Sequence, residues 1–242
     1  MLTQREVRIS VAGDGARLAS DSELAVDADL AVPDGGRGVV VFAHGTGSSR
    51  HSPRNRMVAG HLHEHGFATL LLDLLTPEEE QVDLRTADLR FDVELLASRL
   101  ASATRWLRDQ AELDDQPDVA DLARRQIGYF GASTGAAAAL IAAAEEPRGI
   151  GAIVSRGGRP DLAGDRLRRV ACPTLLIVGG ADTHVLALNR EALAQLTAAN
   201  ASLEVVAGAT HLFEERGALD AVADLAARWF TNHLAGGHPT GW

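Results

Sequence analysis

Residues 127–140 read IGYFGASTGAAAAL, and the fold is decided by how that stretch is read. A short apolar run, Ile127 to Phe130, has the character of a buried strand. It meets Gly131-Ala132-Ser133-Thr134-Gly135 and passes into Ser133 to Ala144, a helix made almost wholly of small apolar residues. A serine flanked two residues away on each side by glycine fits a sharp strand–turn–helix junction. The glycines let strand and helix approach closely, and the turn lifts the hydroxyl above the sheet edge. The free N–H groups and positive end of the helix dipole then face whatever reacts there. The plainer alternative makes Ser133 an ordinary helix cap and the glycines mere packing; the strand before it and the buried helix after it favour the first reading.

Outward from this junction the chain alternates short apolar runs with helical ones. Val7 to Val11 and Leu24 to Val32 alternate apolar with polar residues, as half-buried antiparallel edge strands do. Val39 to Ala43, Ala68 to Leu72, Ile127 to Phe130, Ala152 to Val154 and Thr174 to Val178 are continuous apolar runs, suited to strands covered on both faces. Leu203 to Val206 reads as a last strand. Helical patterns occupy Arg54 to His65, Phe91 to Arg108, Ser133 to Ala144, Glu191 to Leu196 and Ala218 to Leu234. The alternation predicts an α/β fold: a mostly parallel, doubly wound sheet of about eight strands. Residues 1–235 form a single domain in this reading, and 236–242 a flexible tail.

Composition narrows the chemistry. The 242 residues carry 23 Lys plus Arg against 33 Asp plus Glu, a formal net charge of −10. Every cation among the 23 is arginine. Without lysine there is no Schiff-base amine, no P-loop lysine and no Ser-x-x-Lys acyl-transfer site. The negative balance speaks against nucleic acid as a partner. The 1 cysteine, Cys172, permits neither an internal disulfide nor a Cys-x-x-Cys site, and before Pro173 it reads as a small core filler. MLTQREVRIS lacks a signal-peptide apolar core, and no run approaches the roughly 20 apolar residues of a bilayer span. The expectation is a cytoplasmic protein with no membrane partner.

A serine nucleophile requires a base, and the base an orienting carboxylate. Thr174 to Val178 leads into Gly179-Gly180-Ala181-Asp182, placing an acid past a buried strand. Val205-Val206 leads into Gly208-Ala209-Thr210-His211, placing an imidazole past the last strand. Both follow Ser133 in the order serine, acid, histidine, and both lie where parallel strands deliver their loops. Asp73 also follows a strand but precedes Ser133, so it is assigned to the adjoining loop. His184 is a rival base at the rim. His61, His63 and His65 mimic a metal cluster, yet only His61 and His65 share a helix face; no metal site is read. Val39 to Ala43 ends in His44-Gly45-Thr46-Gly47-Ser48-Ser49, a glycine-rich loop suited to an oxyanion hole. Thr46 and Thr134 are the candidate amide donors, with His44 bracing the loop.

Taken together, VVVFAHGTGSSRHSPRNR, FATLLLDLLTPEEE, GASTG, GGAD and GATH resemble, in order and spacing, the dienelactone-hydrolase-like branch of the α/β-hydrolase superfamily. The likeness covers roughly Val39 to Leu234. It implies an α/β-hydrolase fold, a Ser133–Asp182–His211 triad, and oxyanion donors at Thr46 and Thr134. The chain departs from that branch at the elbow, where dienelactone hydrolases carry cysteine and this sequence carries serine; that points away from dienelactone as substrate. Some similar chains are joined to a phosphoribosyltransferase domain, which this sequence does not carry. The superfamily's cap enters after the strand following the nucleophile helix; residues 156–172 are too few for one. Thr76 to Arg90 is the candidate for a mobile flap.

The sequence therefore predicts a cofactor-free serine esterase acting on a small-molecule ester. A thioesterase or peptidase on the same triad is the neighbouring reading, because the triad fixes acyl transfer but not the leaving group. A catalytically silent interaction module is the reading from another class. Oligomeric state is open. Arginines cluster at 50, 54 and 56 and again at 156 and 159, both beside the expected site. Loop bracing explains such clusters; the sharper reading makes Arg156, and with it Arg50, binding groups for an anionic part of the substrate.

Overall fold

The computed structural model describes residues 1–11, 24–113, 122–197 and 199–234. The expected tail, 236–242, lies outside them. The strands are β1 (Leu2–Ser10), β2 (Ala25–Pro33), β3 (Gly38–Ala43), β4 (Phe67–Leu72), β5 (Ile127–Ala132), β6 (Ala152–Arg156), β7 (Thr174–Gly179) and β8 (Ala201–Val206). The α-helices are α1 (Pro53–Glu64), α2 (Pro77–Thr86), α3 (Val93–Leu113), α4 (Thr134–Glu145), α5 (Thr183–Leu193) and α6 (Ala218–Leu234). One 8-stranded sheet runs in the order β1-β2-β4-β3-β5-β6-β7-β8. β1 pairs antiparallel with β2, and β2 with β4. From β4 through β8 every pairing is parallel. This is the mostly parallel, doubly wound α/β sheet that the sequence predicts.

Alternating side chains of the central strands feed two cores, one on each face. Val39, Val41, Tyr129, Ile153 and Leu176 pack with α3 and α4. Val40, Phe42, Phe130, Val154 and Ile177 pack with α1 and α6. Every residue of β3, β4, β5, β6 and β7 is buried, which explains their unbroken apolar character. α4 is buried from Thr134 to Ala144, and its mostly small side chains let it pack closely between sheet, α3 and the 3₁₀ segment Pro160–Arg169. Among the described residues no helix is long and apolar enough to cross a membrane.

Two local features differ from expectation. The connection 76–90, the candidate flap, is built around helix α2 and tied down by ion pairs. Thr76 and Glu79 close a capping box over α2, and Glu79 Oε1 accepts from Arg99 Nη2 of α3 at 2.6 Å, the two side chains being 9% and 0% exposed. Asp83 holds Arg90 through both its backbone N–H, at 2.9 Å, and its guanidinium. Polar composition concealed this helix because its packing is ionic rather than apolar. The helix expected at Glu191 to Leu196 begins instead at Thr183, where Asp182 caps it. As expected, the connection from β6 to β7 is no cap: it is the 3₁₀ segment lying on α4.

Candidate active site

The strand order changes direction between β3 and β5, and a crevice opens at their carboxyl ends, where such sheets place ligands. Ser133 sits there, between β5 and α4, with φ 50 and ψ −118. A positive φ at a non-glycine residue stores roughly 1–3 kcal/mol of strain. Three bonds hold it. The Ser133 N–H donates to the Arg156 carbonyl at 3.3 Å, and the Ser133 carbonyl accepts from the Ala136 and Arg159 N–H groups, each at 3.1 Å. Its hydroxyl makes no capping bond, so the plain helix-cap alternative has no support in the geometry. The flanking glycines are required by contact: a Cβ at Gly131 would lie 2.7 Å from Ala136 N, and one at Gly135 would lie 2.7 Å from the Ala43 carbonyl carbon.

The loops after β7 and β8 are tied to one another by Gly180 N–H to Val206 O at 2.8 Å and Ala181 N–H to Ala209 O at 2.9 Å. That lacing brings Asp182 to His211: Nδ1–H donates to Asp182 Oδ2 at 2.7 Å, while Asp182 Oδ1 accepts from Val185 N–H at 3.4 Å. The acid thereby orients the ring and caps α5 at once, and the ring's Nε2 is the nitrogen left for a proton acceptor's task. Gly157, which no sequence signal had singled out, backs the imidazole; a Cβ there would lie 3.1 Å from His211 O and 3.5 Å from His211 Nδ1. Arg156 and Gly157 thus join the two halves of the site, one holding the Ser133 amide and the next supporting His211.

On the other side of Ser133, Thr46 Oγ1 and Thr134 Oγ1 are hydrogen-bonded at 3.0 Å, and a Cβ at Gly45 would lie 3.1 Å from the Ser133 Cβ. The backbone N–H groups of Thr46 and Thr134 have no partner among the described residues. His44 braces this loop: its Nε2 accepts from Leu74 N–H at 3.2 Å, so Nδ1 carries the proton and donates to Gly45 O at 3.0 Å. Burial pushes the His44 imidazole below its ordinary pKa, keeping it neutral. Beside the loop lies a pocket of about 230 Å³ bounded by Thr46, Asp73, Leu74, Leu96 and Thr134.

The arginines divide. Arg50 donates its guanidinium to Asp73 and, at 3.3 Å, to Asp29, and its N–H bonds Asp73 Oδ1 at 2.8 Å. It fastens the loop to β2 and to the residue that follows β4, and it does not line this pocket. Asp73 serves the adjoining loop, as its position in the sequence indicates. Arg159 is held by Asp161 at 2.9 and 2.7 Å. Arg156 is 7% exposed with its Nε buried and unbonded. His184 is exposed. His61, His63 and His65 turn to Asp224, Thr69 and the His61 carbonyl respectively, and among the described residues no group of three His, Cys, Asp or Glu is placed to hold a metal ion. Cys172 is buried, and desolvation pushes its thiol up to about 11, the state of a core residue rather than a nucleophile.

This sheet, with a strained serine after β5 and an acid–histidine pair after β7 and β8, defines an α/β-hydrolase. Residues 26–234 match the Dienelactone hydrolase family, and the chain belongs to it. A dienelactone hydrolase from Anabaena variabilis is 53% identical, with a TM-score of 0.82 over 96% of this chain and 99% of that one. An esterase from Pyrococcus furiosus shares the fold at 17% identity, with a TM-score of 0.72 over 97% and 92% of the two chains. Two Mycobacterium tuberculosis proteins named "Putative phosphoribosyl transferase" are 58% identical over 212 residues, 88% of this chain but 45% of theirs. The chain spans about half the length of these curated relatives.

Proposed function

We propose that the protein is a serine hydrolase that cleaves carboxylic esters through an acyl-enzyme on Ser133. One observation carries the reading: a positive-φ serine at a strand–helix turn shares a sheet edge with a histidine already bonded to a carboxylate. In this mechanism Ser133 Oγ attacks the ester carbonyl and His211 Nε2 takes its proton. Asp182 Oδ2 holds Nδ1–H and stabilises the imidazolium. The carbonyl oxygen, now negative, accepts from the Thr46 and Thr134 N–H groups, which are already fixed in place and need no reorganisation. The N-terminal end of α4 adds its dipole. The protonated His211 then releases the alcohol, and a water activated by the same imidazole attacks the acyl-enzyme to regenerate Ser133. The chemistry needs no metal or organic cofactor.

The pocket beside the oxyanion loop is small and no cap covers it among the described residues, which favours short acyl groups. The transferase name of the Mycobacterium tuberculosis relatives belongs, in our reading, to the half of those proteins that this chain does not match. The test is a kinetic series on p-nitrophenyl butyrate. Ser133→Ala and His211→Ala each lose at least roughly a thousandfold in kcat while retaining the wild-type circular dichroism spectrum. A near-native rate in folded His211→Ala rejects this assignment of the base.

A further inference from the structure

Arg156 stands out among the charges at the site because nothing among the described residues balances it. It ends β6, in register with Ala132, one residue before Ser133 on the neighbouring strand; adjacent strands are only about 4.8 Å apart. The side chain continues the row of Val154, toward α1 and α6. Its Nε is buried and makes no hydrogen bond. Neither Nη atom has a partner among the described residues, and neither is fully buried: the outer edge of the guanidinium keeps part of the residue's 7% exposure. That edge is where two N–H groups stand side by side.

The charge that acts on Arg156 is of the same sign. Burial and the neighbouring Arg54, in the first turn of α1, together lower the Arg156 pKa to about 10. Among the described residues Arg54 itself reaches only Glu214, at 3.4 Å, a side chain 65% exposed, and its own Nε is buried without a partner. Elsewhere at this edge the arginines are matched with acids: Arg50 with Asp29 and Asp73, Arg90 with Asp83, Arg159 with Asp161. A cation taken out of water without a counter-ion is costly, and two of them side by side cost more. An anion delivered from outside offsets both terms, and the planar guanidinium fork suits the two oxygens of a carboxylate or phosphate.

We propose that Arg156, with Arg54 beside it, forms a subsite for an oxyanion group, a carboxylate or a phosphate, carried by the substrate. This rests on the serine-hydrolase reading for its catalytic consequence but not for the binding itself. The anion sits on the α1 side of Ser133, opposite the pocket walled by Asp73 and Leu96. The enzyme then selects an ester with one charged end, held by Arg156, and its carbonyl in the oxyanion hole.

Two measurements test it. Isothermal titration of succinate and, separately, inorganic phosphate into the wild-type protein reads anion binding without any turnover. The proposal expects at least one of the two to bind, with affinity at least tenfold weaker in Arg156→Met and partly retained in Arg156→Lys; the anion that binds more tightly identifies the group. Steady-state kinetics then compare mono-p-nitrophenyl succinate with neutral p-nitrophenyl butyrate. The ratio of their kcat/KM values falls about tenfold to a hundredfold in Arg156→Met, the loss of a charge-assisted hydrogen bond. If Arg156→Met does not fold, Arg54→Ala replaces it in both assays, with a smaller fall in the same direction. An unchanged ratio, or wild-type protein that binds neither anion, overturns the proposal. Anion binding that depends on Arg156 in a protein that hydrolyses no ester leaves the subsite standing and rejects the serine-hydrolase reading instead.

Discussion

The two walls of the crevice treat charge in opposite ways. On the α2 side, Glu79 meets Arg99, Asp83 meets Arg90, and Asp73 with Asp29 encloses Arg50. On the α1 side, Arg156 has no acidic partner among the described residues, the neighbouring Arg54 opposes its charge, and Arg54 reaches exposed Glu214. The first wall is built from ion pairs that tie one element to the next. The second holds positive charge in reserve. The same residue type at the same sheet edge therefore ties elements together in one place and is left without a carboxylate in the other, and the deciding variable is which carboxylates the fold brings up to it.

The strongest contrast is in stability. Glu79→Ala withdraws the carboxylate from the buried Arg99 and opens the capping box of α2, a loss of about 3–5 kcal/mol. Arg156→Met, on the other wall, removes an unbalanced charge and leaves stability unchanged or raised. Urea denaturation midpoints read both. A loss in Arg156→Met comparable to that of Glu79→Ala would break the comparison, because it would mean the guanidinium is already engaged by the protein.

A second experiment sharpens the picture where the walls meet His211. Gly157→Ala forces a Cβ against the His211 carbonyl and into a backbone with φ +51. The ring shifts while Asp182 stays, and kcat on p-nitrophenyl butyrate falls about tenfold to a hundredfold. Wild-type kcat in a folded Gly157→Ala protein would show that the imidazole does not depend on this contact. The smallest effect is expected at Arg50. Arg50→Ala costs about 1–2 kcal/mol of stability, as a partly buried charged hydrogen bond does, and leaves the ratio of kcat/KM for charged and neutral esters as it is in the wild type. A fall in that ratio equal to that of Arg156→Met would show that the two arginines share one task after all.

These residues also mark how far the sequence could be read. Buried parallel strands announce themselves as unbroken apolar runs, and Gly131 to Gly135 between such a strand and an alanine-rich helix leaves little choice of turn. Asp182 and His211 were legible for the same reason: each follows a strand by a few residues, in the chain order expected of the fold. What the sequence could not yield is pairing among charges distant in the chain. Arg50 and Arg156 look alike in sequence, and only the approach of Asp29 from β2 and Asp73 from β4 separates them. α2 was hidden likewise, because its helix is held by Glu79 to Arg99 rather than by an apolar stripe. Gly157 gave no signal at all, its contact being with a residue on a loop beyond two further strands.

The central claim is that Ser133 is a nucleophile activated by His211. Intact-mass and peptide analysis after exposure to a fluorophosphonate measures this most directly, since the reagent bonds an activated serine and mimics the tetrahedral intermediate. The account predicts a single adduct, located on the peptide bearing Ser133, absent from Ser133→Ala and formed far more slowly in His211→Ala. A wild-type protein that remains unlabelled, or one labelled at a residue other than Ser133, contradicts it.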